Sequence, residues 1–115
     1  MNLTYEPSTT IEGALVARLG GTFDAIAATQ LWESASQRVD DVTRFVVFDF
    51  SEINILTSAG IGTLVRLFTR LKSYGGGLAI FGCNSKVREV FSIVMLDTIL
   101  KVCDTEEEAW ERLRT

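Results

Sequence analysis

The chain has 115 residues, 47% hydrophobic and 23% charged, with a formal charge of -4 and no histidine. That length holds one core and not two, so a single domain is expected over residues 1–115. The acidic balance and the scatter of the Lys and Arg residues exclude a nucleic-acid surface, and the missing histidine excludes Ser-His-Asp and Cys-His catalysis and denies a catalytic zinc any imidazole.

No apolar run reaches the roughly 18–20 residues that span a bilayer. The first residues carry neither a basic n-region nor an apolar h-region, so a cytoplasmic protein without membrane insertion is expected. Cys83 and Cys103 lack CxxC spacing and are read as small buried thiols rather than a disulfide or redox pair.

Residues 2–6 and 14–19 read as two strands joined by a turn-rich segment, which predicts an N-terminal hairpin. Gly20-Gly21 then interrupts the pattern. Asp24 is placed to cap a helix whose apolar positions Ala28, Leu31, Trp32, Ala35 and Val39 recur at helical spacing, and Asp40-Asp41 closes that segment. Residues 45–48, Phe-Val-Val-Phe, form a short continuous apolar run, as expected of a strand buried on both faces. After a short polar loop, a helix from Ser58 carries Ile61, Leu64, Val65, Phe68 and Leu71 on one stripe, with Arg66, Arg70 and Lys72 away from it. Gly75-Gly76-Gly77 ends it.

Residues 78–81 predict another buried strand, and Asn84 or Ser85 can cap a helix bearing Val87, Val90, Phe91 and Val94. Residues 99–103 give a final strand. Thr105 and Glu108 then have capping-box spacing for a last helix that turns Ala109, Trp110 and Leu113 inward. The run Glu106-Glu107-Glu108 is read as a solvated first turn that favours the helix dipole.

The order β-β-α-β-α-β-α-β-α defines an α/β class with a mixed, largely parallel sheet of four to five strands and about four helices. Loops at the carboxyl ends of parallel strands are the usual binding edge. Asp24, Ser58 and Asn84 all fall in such loops, which places them together.

The densest stretch is 49–72, where two hydroxyls and two glycines meet a helix start. Gly60-Ile61-Gly62 lacks the third glycine of a dinucleotide fingerprint and any following Gly-Lys-Ser/Thr. Leu56 stands where a nucleophile elbow needs glycine. The glycines are therefore read as packing residues at a tight turn, and no catalytic residue, metal or cofactor is expected. Thr57 and Ser58 carry two readings. One is a helix cap stabilising by about 1 kcal/mol. The other is a phosphoacceptor, whose added -1.5 to -2 charge the unpaired N–H groups of a helix start can hold.

Several pieces share an order and spacing with a known family: Gly21-Thr22-Phe23-Asp24, the strand ending Phe48-Asp49, Thr57-Ser58-Ala59-Gly60-Ile61-Gly62, the glycine turn before Leu78, and Val87-x-x-Val90-Phe91. Together they resemble the STAS domain family, shared by anti-sigma-factor antagonists and the cytoplasmic tails of sulphate transporters, over essentially the whole chain. The resemblance implies an anti-sigma-factor antagonist without catalysis of its own. Such a protein binds an anti-sigma factor that is also a serine kinase, is phosphorylated at the signature serine, and is reset by a serine phosphatase. Carried over by position, that serine is Ser58, and the partner-binding residues are Asp24, Thr57, Ser58, Ala59, Gly60 and Ile61. Thr57 stands where the family commonly has an acidic residue, which makes it the second candidate acceptor. It also motivates an alternative, a non-phosphorylated STAS subunit of a lipid-transport ABC system or stress-signalling scaffold.

Overall fold

The structure, a computed structural model, describes residues 2–114. Among them five strands form one sheet in the order β1 (Asn2–Pro7), β2 (Leu15–Phe23), β3 (Phe45–Leu56), β4 (Gly77–Phe81) and β5 (Val102–Cys103). β1 pairs antiparallel with β2, and every later neighbour is parallel. The crossover helices are α1 (Ala25–Ser36), α2 (Ser58–Ser73) and α3 (Ser85–Ile93), and α4 (Glu106–Arg114) follows β5. Because β2 to β5 step across the sheet in one direction, right-handed crossovers put α1, α2 and α3 on the same face. α4 covers the other.

Period-two alternation sorts the strand side chains between the two faces. Val46, Phe48, Phe50, Leu78 and Ile80 join the core under α1 to α3, whereas Val47 and Ala79 meet Ala109, Trp110 and Leu113 of α4. Phe50 centres the larger core, with Phe23, Phe48 and Phe91 rings at 5.9, 6.3 and 6.2 Å. Each such ring contributes on the order of 2–3 kcal/mol by leaving water.

The predicted element order holds, and six predicted details do not. Gly20-Gly21 does not end β2, which continues to Phe23 through two register shifts against β3. β3 is correspondingly longer than 45–48. It runs to Leu56 with no loop before the helix, burying Phe50, Ile53 and Leu56 at every third position because the bulged ladder breaks strict alternation.

The buried stripe of α2 is Gly60, Thr63, Leu64, Leu67 and Leu71. Ile61 and Phe68 are only half-buried and Val65 is 37% exposed, since packing Gly60 on Phe23 fixes the helix rotation. On α3 only Val87 and Phe91 are buried; Val94 is the exposed C-cap.

The final strand is two residues long rather than 99–103. Leu100 N–H bonds Leu96 O at 2.9 Å and Val102 N–H bonds Asp97 O at 2.9 Å, so the preceding residues are wound into a turn. Val39 is buried, but beyond the end of α1.

Candidate functional site

Each helix begins where a strand ends, so all four helix N-termini line one edge of the sheet. Their caps are built alike. The Ala27 amide donates to Asp24 Oδ1 at 3.0 Å, Gly60 N–H to Thr57 Oγ1 at 3.5 Å, Val87 N–H to Asn84 Oδ1 at 2.9 Å and Glu108 N–H to Thr105 Oγ1 at 3.2 Å. A cap of this kind satisfies one of the orphan donors of the first turn. Two caps also stitch the edge laterally. Thr57 Oγ1 donates to Phe23 O at 2.8 Å, with the Thr57 amide on the same oxygen at 3.1 Å, and Asn84 Nδ2 donates to Ile53 O at 3.2 Å.

The two hydroxyls at the start of α2 therefore differ. Thr57 is the N-cap, half-buried, with its hydroxyl hydrogen committed to Phe23. Ser58 is the first helical residue and is exposed. Around it the structure assembles Asp24, Ala59 and Ile61, all half-buried, while Gly60 lies beneath. A Cβ on Gly60 would stand 2.9 Å from Phe23 O, so this glycine lets α2 seat directly on the end of β2. Gly62 is different: a Cβ there would meet nothing within 4 Å, which corrects its reading as a packing glycine.

Sequence reasoning missed two residues of this edge. Ile26, 71% exposed in the first turn of α1, and Ile55, 55% exposed near the end of β3, leave apolar side chains in water on either side of the α2 N-terminus. The signal for Ile26 was present, because it falls off the Ala27, Ala28, Leu31, Ala35 stripe. A further exposed cluster of Ile93, Val94, Met95 and Ile99 lies at the far end of α3, away from this edge.

On the α4 side of the sheet, Arg18 of β2 faces Asp49 of β3, its Nη1 donating to Oδ2 at 2.6 Å. Burial disfavours the Asp49 carboxylate, but the Ser51 hydroxyl and amide on Oδ1, at 2.6 and 2.9 Å, together with Arg18 outweigh it and hold the carboxyl below the usual range. Glu6 also accepts from Arg18, at 3.2 and 3.3 Å. This cluster binds strand to strand.

Cys83 and Cys103 are free thiols, and burial pushes Cys83 up to about 12, far from a reactive thiolate. Among the described residues no group of three or more His, Cys, Asp or Glu is placed to hold a metal, and no helix is long and apolar enough to cross a membrane.

What the fold and this edge define is a small α/β domain that presents a surface of helix N-termini flanked by exposed isoleucines. The chain belongs to the STAS domain family, whose model matches residues 7–109. It is 30% identical over 115 residues to BtrV of Bordetella bronchiseptica, named as an anti-sigma factor antagonist, covering 100% of this chain and 97% of that one. It is 25% identical over 107 residues to the anti-sigma-B factor antagonist of Staphylococcus aureus, covering 93% and 98%. Its fold matches that of the anti-sigma factor antagonist SpoIIAA in unphosphorylated form with a TM-score of 0.79, 24% identity and 96% of each chain covered. It also matches the phosphorylated form of Bacillus SpoIIAA with a TM-score of 0.72, 23% identity, and 96% and 100% coverage.

Proposed function

We propose that the protein is an anti-sigma-factor antagonist acting in the cytoplasm, which binds an anti-sigma factor with serine-kinase activity through the edge around Ser58. Phosphorylation of Ser58 releases that partner and a serine phosphatase restores binding. Asp24, Thr57, Ala59, Gly60 and Ile61 form the contact surface around the serine, extended by Ile26 and Ile55. The role is binding, and the chain contributes no chemistry of its own.

The observation that carries this reading is the division of labour between the two hydroxyls. Ser58 is exposed at a helix start, where a phosphate meets unpaired N–H groups and the positive end of the dipole, so the fold tolerates the charge. A partner packed over the same edge does not, because burying an uncompensated dianion costs several kcal/mol and about 1.4 kcal/mol is tenfold in affinity. Thr57 is the poorer acceptor, since its modification would break the Phe23 bond and the α2 cap together. Full-length relatives named as anti-sigma factor antagonists support the partner class.

The test is incubation with the host's anti-sigma serine kinase and ATP, followed by peptide mass spectrometry. Phosphate on Ser58 and not on Thr57 is the expected result; phosphate on neither would sink the switch.

A further inference from the structure

α1 and α2 lie side by side, and a groove runs between them from the Ser58 edge. Its upper part, about 300 Å³, is lined by Ala28, Ala59 and the buried Thr63. Its lower part, about 450 Å³, is lined by Val65, Thr69 and Arg70. Trp32 and Arg66 line both parts, the Arg66 guanidinium resting 3.9 Å from the centre of the Trp32 ring.

Beside the groove, Ser58, Gly62, Arg66 and Arg70 follow one another at four-residue spacing along α2, and all four are exposed. Two features of this ridge are not required by the core. An exposed helical glycine costs about 1 kcal/mol relative to alanine, yet at Gly62 a Cβ would meet nothing. Arg66 and Arg70 stand one turn apart on this exposed ridge, and neither has a carboxylate within ion-pair distance among the described residues, as is also the case for Arg38, Arg44 and Lys72. Glu33 is the one carboxylate lining the groove, against two arginines.

We propose that this groove is a second contact for the protein partner, in which Arg66, resting over the Trp32 ring, receives a carboxylate from an acidic segment of that partner. The proposal rests on the Ser58 edge being the partner-binding surface. The contact with the Trp32 ring restrains the exposed Arg66 side chain, and a guanidinium's planar fork matches a carboxylate with two parallel hydrogen bonds. Ordering the side chain beforehand removes part of the entropic cost of binding. The bare backbone at Gly62 lets the partner chain cross α2 over the roughly 12 Å of helix axis between residues 58 and 66. An acidic segment laid along this path also meets a phosphate on Ser58 with like charge, which extends the reach of the modification beyond the serine.

The experiment is calorimetric titration of the full chain with the purified kinase that phosphorylates Ser58, at low and high salt, for wild type, Arg66→Gln, Arg66→Lys and Trp32→Leu, each checked for folding by its melting curve. Arg66→Gln is expected to weaken binding about tenfold and to flatten its salt dependence, with Arg66→Lys failing to restore it and Trp32→Leu losing about threefold. Wild-type binding with Arg66→Gln within twofold of it overturns the groove contact and leaves the Ser58 reading standing. Failure of wild type itself to bind overturns both. An Arg66→Gln effect confined to phosphatidylglycerol vesicles, with the kinase unaffected, assigns the ridge to a membrane and overturns the proposal.

Discussion

The hydroxyl of Thr57 donates to the carbonyl of Phe23 at 2.8 Å while accepting from Gly60 N–H at 3.5 Å, so one side chain closes the end of β2 onto the start of α2. The next residue after Phe23 is Asp24, the cap of α1, and the two helix starts are thereby held in register. A carboxylate at position 57 keeps the cap and cannot supply the donor. Thr57→Asp is therefore expected to lower stability by about 1 kcal/mol, and Thr57→Val, which loses both bonds, by about 1–2 kcal/mol. Thr57→Ser should stay near wild type. Urea midpoints read all three, and a Thr57→Asp protein as stable as wild type would show that the Phe23 bond contributes nothing.

Ser58 is not the cap, so its removal should be silent in stability. Ser58→Ala is expected to unfold within about 0.5 kcal/mol of wild type, as other exposed surface substitutions do. It should bind the anti-sigma partner fully and resist release by ATP. Ser58→Asp should fold as well or slightly better, a carboxylate in the first turn favouring the dipole, while binding the partner at least about tenfold more weakly. Equal affinity of Ser58→Asp and wild type in a titration would remove charge as the basis of release.

Two neighbouring glycines should respond with opposite signs. At Gly60 a Cβ would sit 2.9 Å from both Phe23 O and Phe23 Cδ1 and 3.0 Å from Leu56 Cδ1, so Gly60→Ala must shift α2 and is expected to cost about 1–3 kcal/mol. At Gly62 the space is open and Gly62→Ala should stabilise by about 0.5–1 kcal/mol. Denaturation midpoints moving the same way for both variants would contradict the packing described for α2.

These positions also show where sequence reading reached and where it stopped. Element order, the capping residues Asp24 and Thr105, and the inward face of α4 follow from local rules, capping chemistry and apolar spacing, and the structure places them as expected, while of the two cap candidates Asn84 and Ser85 it selects Asn84. The length of β3 was not legible because Asp49, Ser51, Glu52 and Asn54 look like a loop; only the bulged pairing with β2 turns them into strand. The rotation of α2 was not legible either. Choosing between Leu67 and Phe68 as the buried residue depends on how closely Gly60 approaches Phe23, a tertiary contact with no local signature. For the site, residue types named both Ser58 and Thr57 and the family resemblance put Ser58 first, whereas the bond that commits the Thr57 hydroxyl to Phe23, 34 positions away, has no local signature.

The Asp49 carboxyl gives the fold a predictable acid response. Burial works against its charge, yet Ser51 and Arg18 favour the ionised form enough to hold its folded pKa below the value of about 3.9 for an unstructured aspartate. A depressed folded pKa means that the unfolded chain takes up the proton first. The stabilisation is therefore complete above the unfolded pKa and is lost as pH falls through the folded one. Asp49→Asn should thus be less stable than wild type by a constant amount at neutral pH, and the gap should close on acidification below about pH 4 as wild type loses the charge as well. Arg18→Met, removing the partner while keeping much of the stem's packing on the sheet, should raise the folded pKa of Asp49 back toward the unfolded value and so make the acid-dependent loss of stability smaller than in wild type. Denaturation midpoints collected across the acidic range decide the matter: a wild-type to Asp49→Asn gap that stays the same size from neutral pH to the acid limit would mean that Asp49 does not titrate differently in the folded and unfolded chains.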